Sequence, residues 1–218
     1  MSFIRPHAKR TIAPAGITPA PTDFDQPPSD PVAWAMRWLD EAMWLPVPNP
    51  NSLYLATTSA DGRPSVRTVL LRSFDAQGAV FFTNRQSDKG QALEATHRAA
   101  MLMHWDHLDR QLRIEGAVSH TTDAESDAYF AQRPRDSQLN AWASDQSRPV
   151  PDMATMRERQ RQAHARFEWN PVPRPPHWGG YRIALERIEF WQGDPYRFHD
   201  RVVYARSGTT WTVTRLMP

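Results

Sequence analysis

Cysteine is absent from this sequence of 218 residues. Its absence excludes disulfide bonds, thiolate catalysis and metal sites with Cys ligands in one step. A chain without cysteine also fits a reducing compartment, and we expect a cytoplasmic protein.

Long apolar runs are missing as well. No stretch approaches the roughly 20 apolar residues that a membrane-spanning helix needs. The basic residues of segment 1–14 are not followed by the apolar run of a secretory signal. We therefore predict no membrane partner.

The sequence has no strong excess of charge of one sign. Its 26 basic and 24 acidic residues leave a formal charge of +2, whereas nucleic-acid-binding proteins usually carry a larger, clustered positive excess. We therefore predict no nucleic-acid partner.

Several catalytic and nucleotide-binding motifs are also absent. The sequence contains no GxGxxG, no P-loop and no Gly-x-Ser-x-Gly, which argues against a Rossmann site, a P-loop site and Ser-His-Asp hydrolysis. His104 and His107 lie three residues apart without a third ligand at a clear spacing, so we predict no metal site.

Proline, by contrast, is frequent near the N-terminus, with six of them in residues 1–30. Such a segment buries too little apolar surface to offset its ordering entropy, which is roughly 1–2 kcal/mol per residue. We expect residues 1–30 to be a tail that is flexible or lies across the folded body, and residues 31–218 to form one domain.

The rest of the chain alternates between helical and strand-like periodicity. Asp30 as N-cap and Pro31 at the first position begin a helix, and Thr122 with Glu125 forms a capping box. Further helices are predicted at Ser87–Thr96, Thr122–Gln132, Asp136–Asp145 and Met153–Trp169. Period-two segments predict strands at Leu53–Thr58, Ser65–Phe74, Ala79–Asn84, Ala99–Trp105, Arg110–His120, Tyr181–Gln192, Tyr196–Tyr204 and Thr210–Leu216. This order favours a mainly β, antiparallel barrel with inserted helices, an α+β fold without βαβ units.

The strongest local signal for chemistry is the run Arg197-Phe198-His199-Asp200-Arg201. If this run is a strand, Arg197, His199 and Arg201 share one face. Neighbouring cations are stabilised by an anion or an electron-rich ligand. The aromatic ring of Trp191, in the preceding segment, suits a flat ligand. An exposed strand face in solvent explains the run equally well.

A second signal is a group of three polar residues around a helix end. Tyr129 and Arg133 lie one helical turn apart, and Ser137 follows just after Pro134. A phenol, a guanidinium and a hydroxyl that converge resemble a phosphate pocket. On spacing alone, an exposed Arg at the end of a capped helix is the simpler explanation.

Two further cationic positions have weaker patterns. Arg67 and Arg72 stand at the ends of an apolar run, and in a regular strand they project to opposite faces, so they would serve different anions. Lys89 follows Ser87 at a predicted helix start, where anions are attracted. Edge charges that guard against aggregation and a plain Ser N-cap remain open as alternatives.

These clusters, in this order, resemble the pyridoxamine 5'-phosphate oxidase family over about residues 30–218. The most specific stretches are RPRDSQLNAWASDQS (133–147), WGGYRIALERIEFWQG (178–193), RFHDR (197–201) and RLMP (215–218). The resemblance implies an FMN-binding split β-barrel of Greek-key type that works as a homodimer, with FMN at the subunit interface.

The resemblance also assigns roles to individual residues. Flavin contacts are implied for Arg67, Thr68, Val69, Leu70, Leu71, Arg72, Phe82, Thr83, Lys89, Gln111, Gln146, Ser147, Trp191 and Arg201. Substrate contacts are implied for Arg72, Tyr129, Arg133, Ser137, Arg197 and His199, of which Arg197 and His199 hold the pyridine ring against the flavin and are the catalytic pair.

The implied reaction oxidises pyridoxamine or pyridoxine 5'-phosphate with O2 to pyridoxal 5'-phosphate and hydrogen peroxide, with ammonia released from the amine. Two departures from the family stand out, because Arg72 replaces a common Lys and Asp88 replaces a basic residue of some members. The alternatives are a related flavin oxidase of the phenazine-pathway type and a flavin or pyridoxal phosphate binding protein without turnover.

Overall fold

Helices and strands follow one another along the chain in a pattern that produces a single curled sheet. The computed structural model describes residues 22–45 and 48–218, so most of the predicted tail lies outside the described residues. The helices are α1 (Pro31–Met43), α2 (Asp88–Thr96), α3 (Asp123–Ala131), α4 (Arg135–Ala143) and α5 (Met153–Arg166), with a 3-10 turn at Asp106–Leu108. The strands are β1 (Ser52–Thr58), β2 (Pro64–Leu70), β3 (Ser73–Asp75), β4 (Gly78–Asn84), β5 (Arg98–Trp105), β6 (Arg110–His120), β7 (Trp178–Ile183), β8 (Arg187–Gln192), β9 (Asp200–Ser207) and β10 (Thr210–Arg215).

Strand β6 is the element that joins the two parts of the sheet. Residues 110–117 of β6 pair with β5 along one edge, and residues 110–115 pair with β8 along the other. The last residues of β6, Val118–His120, pair with β7. The main path runs β10-β9-β8-β6-β5-β1-β2, while β3 and β4 continue from β7, and all pairs are antiparallel. This arrangement confirms the predicted antiparallel split barrel with inserted helices.

Local capping chemistry explains where two of the helices begin. Asp30 Oδ1 accepts hydrogen bonds from the amides of Val32 and Ala33 at the start of α1. Thr122 and Glu125 form the predicted capping box at α3, with each side chain accepting from the backbone amide of the other residue. Both starts could be read from the sequence because the caps use neighbouring residues.

Two predicted strands are each broken into two. The segment Ser65–Phe74 is interrupted at Leu71–Arg72, where the amide of Leu71 donates to Asn51 O and that of Arg72 donates to Val80 O. The chain thus changes partner from β1 to β4. Arg72 therefore lies outside β2, and the argument that Arg67 and Arg72 lie on opposite faces of one strand is wrong.

The second break separates β7 from β8 within the predicted strand Tyr181–Gln192. The amides of Ala184 and Glu186 donate to Ala117 O and Glu115 O of β6. The break lets β7 pair with β4 in one half of the barrel and β8 pair with β9 in the other. Periodicity could not show this, because both halves remain next to β6.

A third correction concerns the predicted strand Tyr196–Tyr204. Strand β9 begins only at Asp200, and Arg197 has a left-handed backbone with φ of 64°. Residues 193–199 form a loop, so Arg197, His199 and Arg201 do not share one strand face as predicted.

Aromatic side chains fill the part of the barrel core that lies against α1. Trp34 of α1 stacks on Phe190 of β8, with ring centroids 3.9 Å apart, and makes an edge contact with Trp38. Phe24 from the segment before α1 is buried against both tryptophans, and Tyr204 OH donates to Pro28 O at 2.6 Å. Residues 22–28 therefore lie against the barrel and extend its core.

Replacing Trp34 with Ala is expected to lower the free energy of unfolding by about 3–5 kcal/mol, because the cavity left under α1 cannot close fully. Trp34→Phe is expected to cost less than about 1.5 kcal/mol, since it keeps an aromatic ring. Within the described chain, the buried Trp34 indole N–H has no hydrogen-bond partner to lose. Urea unfolding of both variants measures this difference, and equal losses would contradict it.

Candidate functional site

A cavity of about 440 Å³ opens between strands β2 and β4 and the helices α3 and α4. Most of the residues expected to bind phosphate-bearing ligands line it. Its lining comprises Thr68, Val69, Leu70, Arg72, Phe82, Thr83, Asn84, Lys89, Tyr129, Arg133, Ser137, Asn140, Ala141, Ser144, Gln146 and Trp178. The structure thus brings together residues that are up to 110 positions apart in the chain, from Thr68 to Trp178.

One side of the cavity holds two arginines beside a tyrosine. Arg72 lies over the ring of Tyr129, 5.4 Å from its centroid. Burial lowers the pKa of Arg133; Tyr129 acts in the opposite direction, and Arg72 lowers it further. Burial likewise raises the pKa of Tyr129, while the two arginines oppose that rise. Ser137 lines the same cavity. We call Arg72, Tyr129, Arg133 and Ser137 the Arg133 group.

Within this group, the hydrogen bonding of Arg133 indicates most clearly that a ligand binds here. Its Nη1 atom is buried and has no hydrogen-bond partner among the described residues. Its guanidinium stacks over the Trp178 ring at 4.7 Å, which fixes its plane without satisfying its N–H groups. A buried donor without an acceptor costs free energy, so the site favours an anionic or oxygen-rich ligand.

The other side of the cavity holds Lys89. Its Nζ lies 2.8 Å from Gln146 Oε1, 3.2 Å from Ser87 Oγ and 3.3 Å from Thr83 Oγ1, all of which are neutral acceptors. Burial lowers the pKa of Lys89 and the charge of Arg67 lowers it further, while Asp88 acts in the opposite direction. We call Arg67, Thr83, Lys89 and Gln146 the Lys89 group.

Arg67 completes the Lys89 group from strand β2. Its guanidinium donates to Leu55 O, Thr57 Oγ1 and Ser65 Oγ, and burial lowers its pKa, against the effect of Asp88. Arg67 lies at the edge of the neighbouring cleft between the β1–β2 hairpin and α2, and not in the main cavity.

Among the described residues, none of the four cations Arg67, Arg72, Lys89 and Arg133 forms an ion pair with a carboxylate. Most other arginines of the fold are paired in this way. Arg72, Lys89 and Arg133 line the main cavity, and Arg67 lies at the edge of the neighbouring cleft. Because neighbouring positive charges repel one another, bound anions would stabilise these cations.

Asp88 does not oppose this charge from inside the cavity. It is the first residue of α2, and the N-cap is Ser87, whose side chain accepts from Gly90 N. The Asp88 side chain is 69% exposed and lies 3.5 Å from Arg148. The negative charge of Asp88, at a position where some members of the family have a basic residue, is therefore partly neutralised at the surface by Arg148.

Three parallel aromatic rings form the wall behind the Arg133 group. Phe82 stacks on Tyr129, with ring centroids 4.2 Å apart and an interplanar angle of 19°. Phe82 also stacks on Trp178, with ring centroids 5.5 Å apart and an interplanar angle of 10°. Gly180, beside Trp178, allows β7 to approach this wall, because a Cβ there would lie 2.7 Å from the Phe82 ring. The wall offers a flat, rigid surface.

The remaining predicted residues form a second group on another part of the barrel. Register pairs place Gln111, Trp191 and Arg201 side by side across β6, β8 and β9, so their side chains lie on one face. Arg201 is held by Glu189 Oε1, at 2.9 and 2.7 Å from two of its nitrogens, and donates to Met217 O. We call Gln111, Trp191 and Arg201 the Trp191 row.

The loop between β8 and β9 adds the predicted catalytic pair to this row. The His199 imidazole lies 4.6 Å from the Trp191 ring, and Arg197 is exposed. None of these five residues lines the main cavity. In one chain, the structure therefore brings the predicted site residues together as two groups and not as one.

Two other predicted flavin contacts lie outside the main cavity. Leu71 is fully buried in the core, and its amide and carbonyl are both hydrogen bonded to Asn51. Ser147, with φ of 70°, lines a separate cleft beside α5.

The sequence reasoning missed five residues of the cavity wall. These are Asn84, Asn140, Ala141, Ser144 and Trp178. Four of them lie within the stretches 133–147 and 178–193, which carry the family resemblance, but spacing alone gave no reason to select these positions.

The described residues contain neither a membrane-spanning helix nor a cluster of metal ligands. No helix there has both the length and the apolar character needed to cross a bilayer. No three His, Asp or Glu side chains there are grouped to hold a metal ion.

Comparison with known proteins gives a consistent result along the chain. The family model described as pyridoxamine 5'-phosphate oxidase matches residues 39–167, and the pyridoxine 5'-phosphate oxidase C-terminal dimerisation region matches residues 178–218. The second match supports a homodimer.

Relatives and solved structures agree with these matches. Proteins named pyridoxine/pyridoxamine 5'-phosphate oxidase from Rubrobacter xylanophilus and Cupriavidus taiwanensis are 51% and 50% identical, over 87% of this chain and 87% and 89% of theirs. The structure of PhzG from Burkholderia lata, in complex with tetrahydrophenazine-1-carboxylic acid, is similar with a TM-score of 0.84 and 32% identity, covering 94% of this chain and 100% of that one. A pyridoxamine 5'-phosphate oxidase-related, FMN-binding protein from Nostoc punctiforme shares the fold, with a TM-score of 0.66 and 17% identity over 85% and 96% of the chains. Matching family models, half-identical relatives and a shared split barrel together establish that this chain belongs to the pyridoxamine 5'-phosphate oxidase family.

Proposed function

We propose that this protein binds FMN and oxidises pyridoxine and pyridoxamine 5'-phosphates to pyridoxal 5'-phosphate, with O2 as electron acceptor. Pyridoxine 5'-phosphate and O2 give the aldehyde and hydrogen peroxide; the amine also consumes water and releases ammonia. The names of the relatives at about half identity support this reaction. The observation that carries the proposal is that one cavity is lined by Lys89 of the Lys89 group and by Arg72 and Arg133 of the Arg133 group.

The Lys89 group fits the phosphate of FMN. Lys89, Thr83 and Gln146 supply an ammonium, a hydroxyl and an amide within 3.3 Å of one another, and Arg67 adds a second positive charge. Charge-assisted hydrogen bonds of this kind contribute roughly 1.5–3 kcal/mol each. Thr68, Val69, Leu70 and Phe82 would line the flavin ring from β2 and β4, and the buried Leu71 would support it from behind.

The Arg133 group fits the phosphate of the substrate. Arg72 and Arg133 provide two guanidiniums on the same side of the cavity, and the free Nη1 of Arg133 supplies a donor that lacks an acceptor. Tyr129 and Ser137 add hydroxyls, and the aromatic wall limits the positions that a flat ring can take. Anchoring the phosphate holds the ring in place for reaction.

The Trp191 row and the Arg197–His199 pair complete the site from the second protomer. Gln111, Trp191 and Arg201 would contact the flavin, together with Ser147, while Arg197 and His199 would hold the pyridine ring. The family's dimerisation region spans residues 178–218 and so includes most of this second group. Within one chain, the residues of this second group lie outside the main cavity. We therefore assign them to a site that the partner protomer completes.

Bound FMN would supply the redox chemistry, by accepting a hydride equivalent and passing two electrons to O2. The protein's own residues then have the tasks of holding two anions, orienting a ring and excluding water. The residues that line the described cavity include no Asp, Glu or His, which agrees with this division of work.

The proposal is tested on the purified protein. Its visible spectrum is recorded after addition of FMN, and pyridoxine 5'-phosphate is then added in air while aldehyde and peroxide are measured. We expect a bound flavin and equal amounts of both products. Bound flavin without aldehyde would contradict the substrate, and failure to take up FMN would contradict the whole proposal.

Mixed dimers test the shared site. Arg133→Ala and Arg197→Ala are each expected to keep FMN and lose most activity. Because random pairing in a two-fold dimer leaves one intact site in half of the molecules, coexpression should restore about one quarter of the wild-type rate. A coexpressed mixture no more active than either variant alone would show that both residues act from the same protomer.

A phenazine-type oxidation is the second candidate, and the similarity to PhzG favours it. A polycyclic substrate without phosphate has no use for the Arg133 group, whereas the described cavity keeps Tyr129, Arg133 and Ser137 in its lining. Turnover of tetrahydrophenazine-1-carboxylic acid but not of pyridoxine 5'-phosphate would reverse the preference. Binding of flavin without any turnover would favour the non-catalytic alternative.

A further inference from the structure

The loop 193–199 between β8 and β9 is organised by Asp194. Its Oδ1 accepts hydrogen bonds from Tyr196 N at 2.8 Å and Phe198 N at 3.2 Å. Its backbone carbonyl accepts from Arg197 N at 3.0 Å, and its own amide donates to His199 Nδ1 at 3.0 Å. Four hydrogen bonds of this short loop therefore converge on one residue.

These bonds hold Arg197 in an unfavourable backbone conformation. A non-glycine residue with φ of 64° is strained, and such strain persists only where surrounding contacts fix it. The Asp194 carboxylate fixes the amides on both sides of Arg197. The neighbouring Tyr196 and Phe198 side chains are 92% and 73% exposed, so they do not fix the loop by packing within the chain.

The same arrangement determines which nitrogen of His199 carries the proton. Because Nδ1 accepts the Asp194 amide, the proton of the neutral ring lies on Nε2. In the part of the chain that the structure describes, Nε2 has no hydrogen-bond partner, and the Trp191 ring lies against the imidazole at 4.6 Å. His199 therefore offers a hydrogen-bond donor, and not a base, to a ligand.

We propose that Asp194 is a positioning residue, which holds His199 as an Nε2–H donor and Arg197 beside it, so that both bind acceptor atoms of the substrate. The identity of that substrate rests on the proposed function, but the loop arrangement does not. Asp194 contributes through the position of its Oδ1 atom, which is the feature that the test isolates.

Two variants separate the position of the acceptor from its charge. Asp194→Asn keeps Oδ1 in place without the charge, whereas Asp194→Glu keeps the charge but moves the acceptor by one methylene. We expect ¹⁵N NMR of histidine-labelled protein, assigned with His199→Gln, to show the Nε2–H tautomer in the wild type and in Asp194→Asn. In Asp194→Glu the signals of both nitrogens should move towards those of a mixture.

Kinetics provide the second measurement. For Asp194→Glu we expect kcat/KM for pyridoxine 5'-phosphate to fall on the order of 10- to 100-fold, because small displacements of positioning groups are costly. Asp194→Asn should stay within about threefold of the wild type, and both variants should keep full FMN content.

Equal effects of the two variants, or an unchanged His199 spectrum in Asp194→Glu, would overturn the proposal. A protein whose His199 tautomer responds as expected, but which does not oxidise pyridoxine 5'-phosphate at all, would instead contradict the proposed function. The conservative size of both substitutions keeps the barrel folded, which FMN content and the thermal midpoint verify.

Discussion

Replacing Arg133 with Ala is expected to lower kcat/KM for pyridoxine 5'-phosphate by about 10²- to 10³-fold, since truncating a buried, charged partner typically costs 2–5 kcal/mol. The Arg133 guanidinium is held over Trp178, and its Nη1 has no partner in the described chain. No protein group loses a hydrogen bond at that atom, so the loss should come from the ligand. Steady-state kinetics over a wide range of substrate concentration measure it.

Arg133→Lys is the matched control for this prediction. Lysine keeps the charge but not the planar fork or the stacking on Trp178, so an intermediate loss is expected. FMN content should stay at the wild-type level in both variants. Loss of flavin together with activity would show that Arg133 belongs to the cofactor site.

Replacing Lys89 with Ala is expected to raise the Kd for FMN by about 10²-fold or more, for the same energetic reason. Lys89 Nζ contacts three neutral oxygens, so its removal leaves no unpaired carboxylate in the protein. Titration of the apoprotein with FMN, followed by quenching of flavin fluorescence, measures the change.

The pH dependence provides a control within the same experiment. Burial lowers the pKa of Lys89, so the ammonium is present below that lowered pKa and is lost as pH rises through it. The affinity of the wild type for FMN should therefore begin to decrease at this pH. The affinity of Lys89→Ala for FMN should not show the decrease that comes from loss of the Lys89 charge. Identical profiles would contradict a role for the Lys89 charge.

Comparison of the two substitutions tests whether the two cationic groups bind two different phosphates. With saturating FMN, Lys89→Ala should keep a KM for pyridoxine 5'-phosphate near that of the wild type, while Arg133→Ala should keep its Kd for FMN. If either substitution changes both constants equally, the two cationic groups do not serve two separate phosphates.

Much of the fold could be predicted because its signals are local. Asp30 caps α1, and Thr122 caps α3 through bonds to residues two or three positions away. Strand alternation identified β1, β5 and β6 to within a few residues, since each keeps one face in the core. The predicted strand Ala79–Asn84 matches β4, which is buried on both faces. Where β2 ends and where β7 gives way to β8 could not be predicted, because a change of partner strand leaves the alternation almost intact.

The site was predictable only in part, for a related reason. Tyr129, Arg133 and Ser137 lie close in sequence around a helix end, and the structure does bring them together. The prediction for Arg197, His199 and Arg201 failed because it assumed a strand, whereas Asp194 holds the first two in a loop. The contact of Lys89 with Gln146 spans 57 positions and no spacing rule reaches that far.

By itself, the sequence determined the kinds of groups available: arginines and a lysine, aromatic rings, and neither cysteine nor a nucleotide-binding glycine motif. It also determined the starts of helices and the inward faces of strands, since these depend on residues a few positions apart. Only the tertiary structure decided that Arg72 belongs with Arg133 and Arg67 with Lys89, and that the Trp191 row lies elsewhere. Those pairings depend on where β2 leaves one sheet for the other, a choice fixed by hydrogen bonds and burial between segments far apart in the chain.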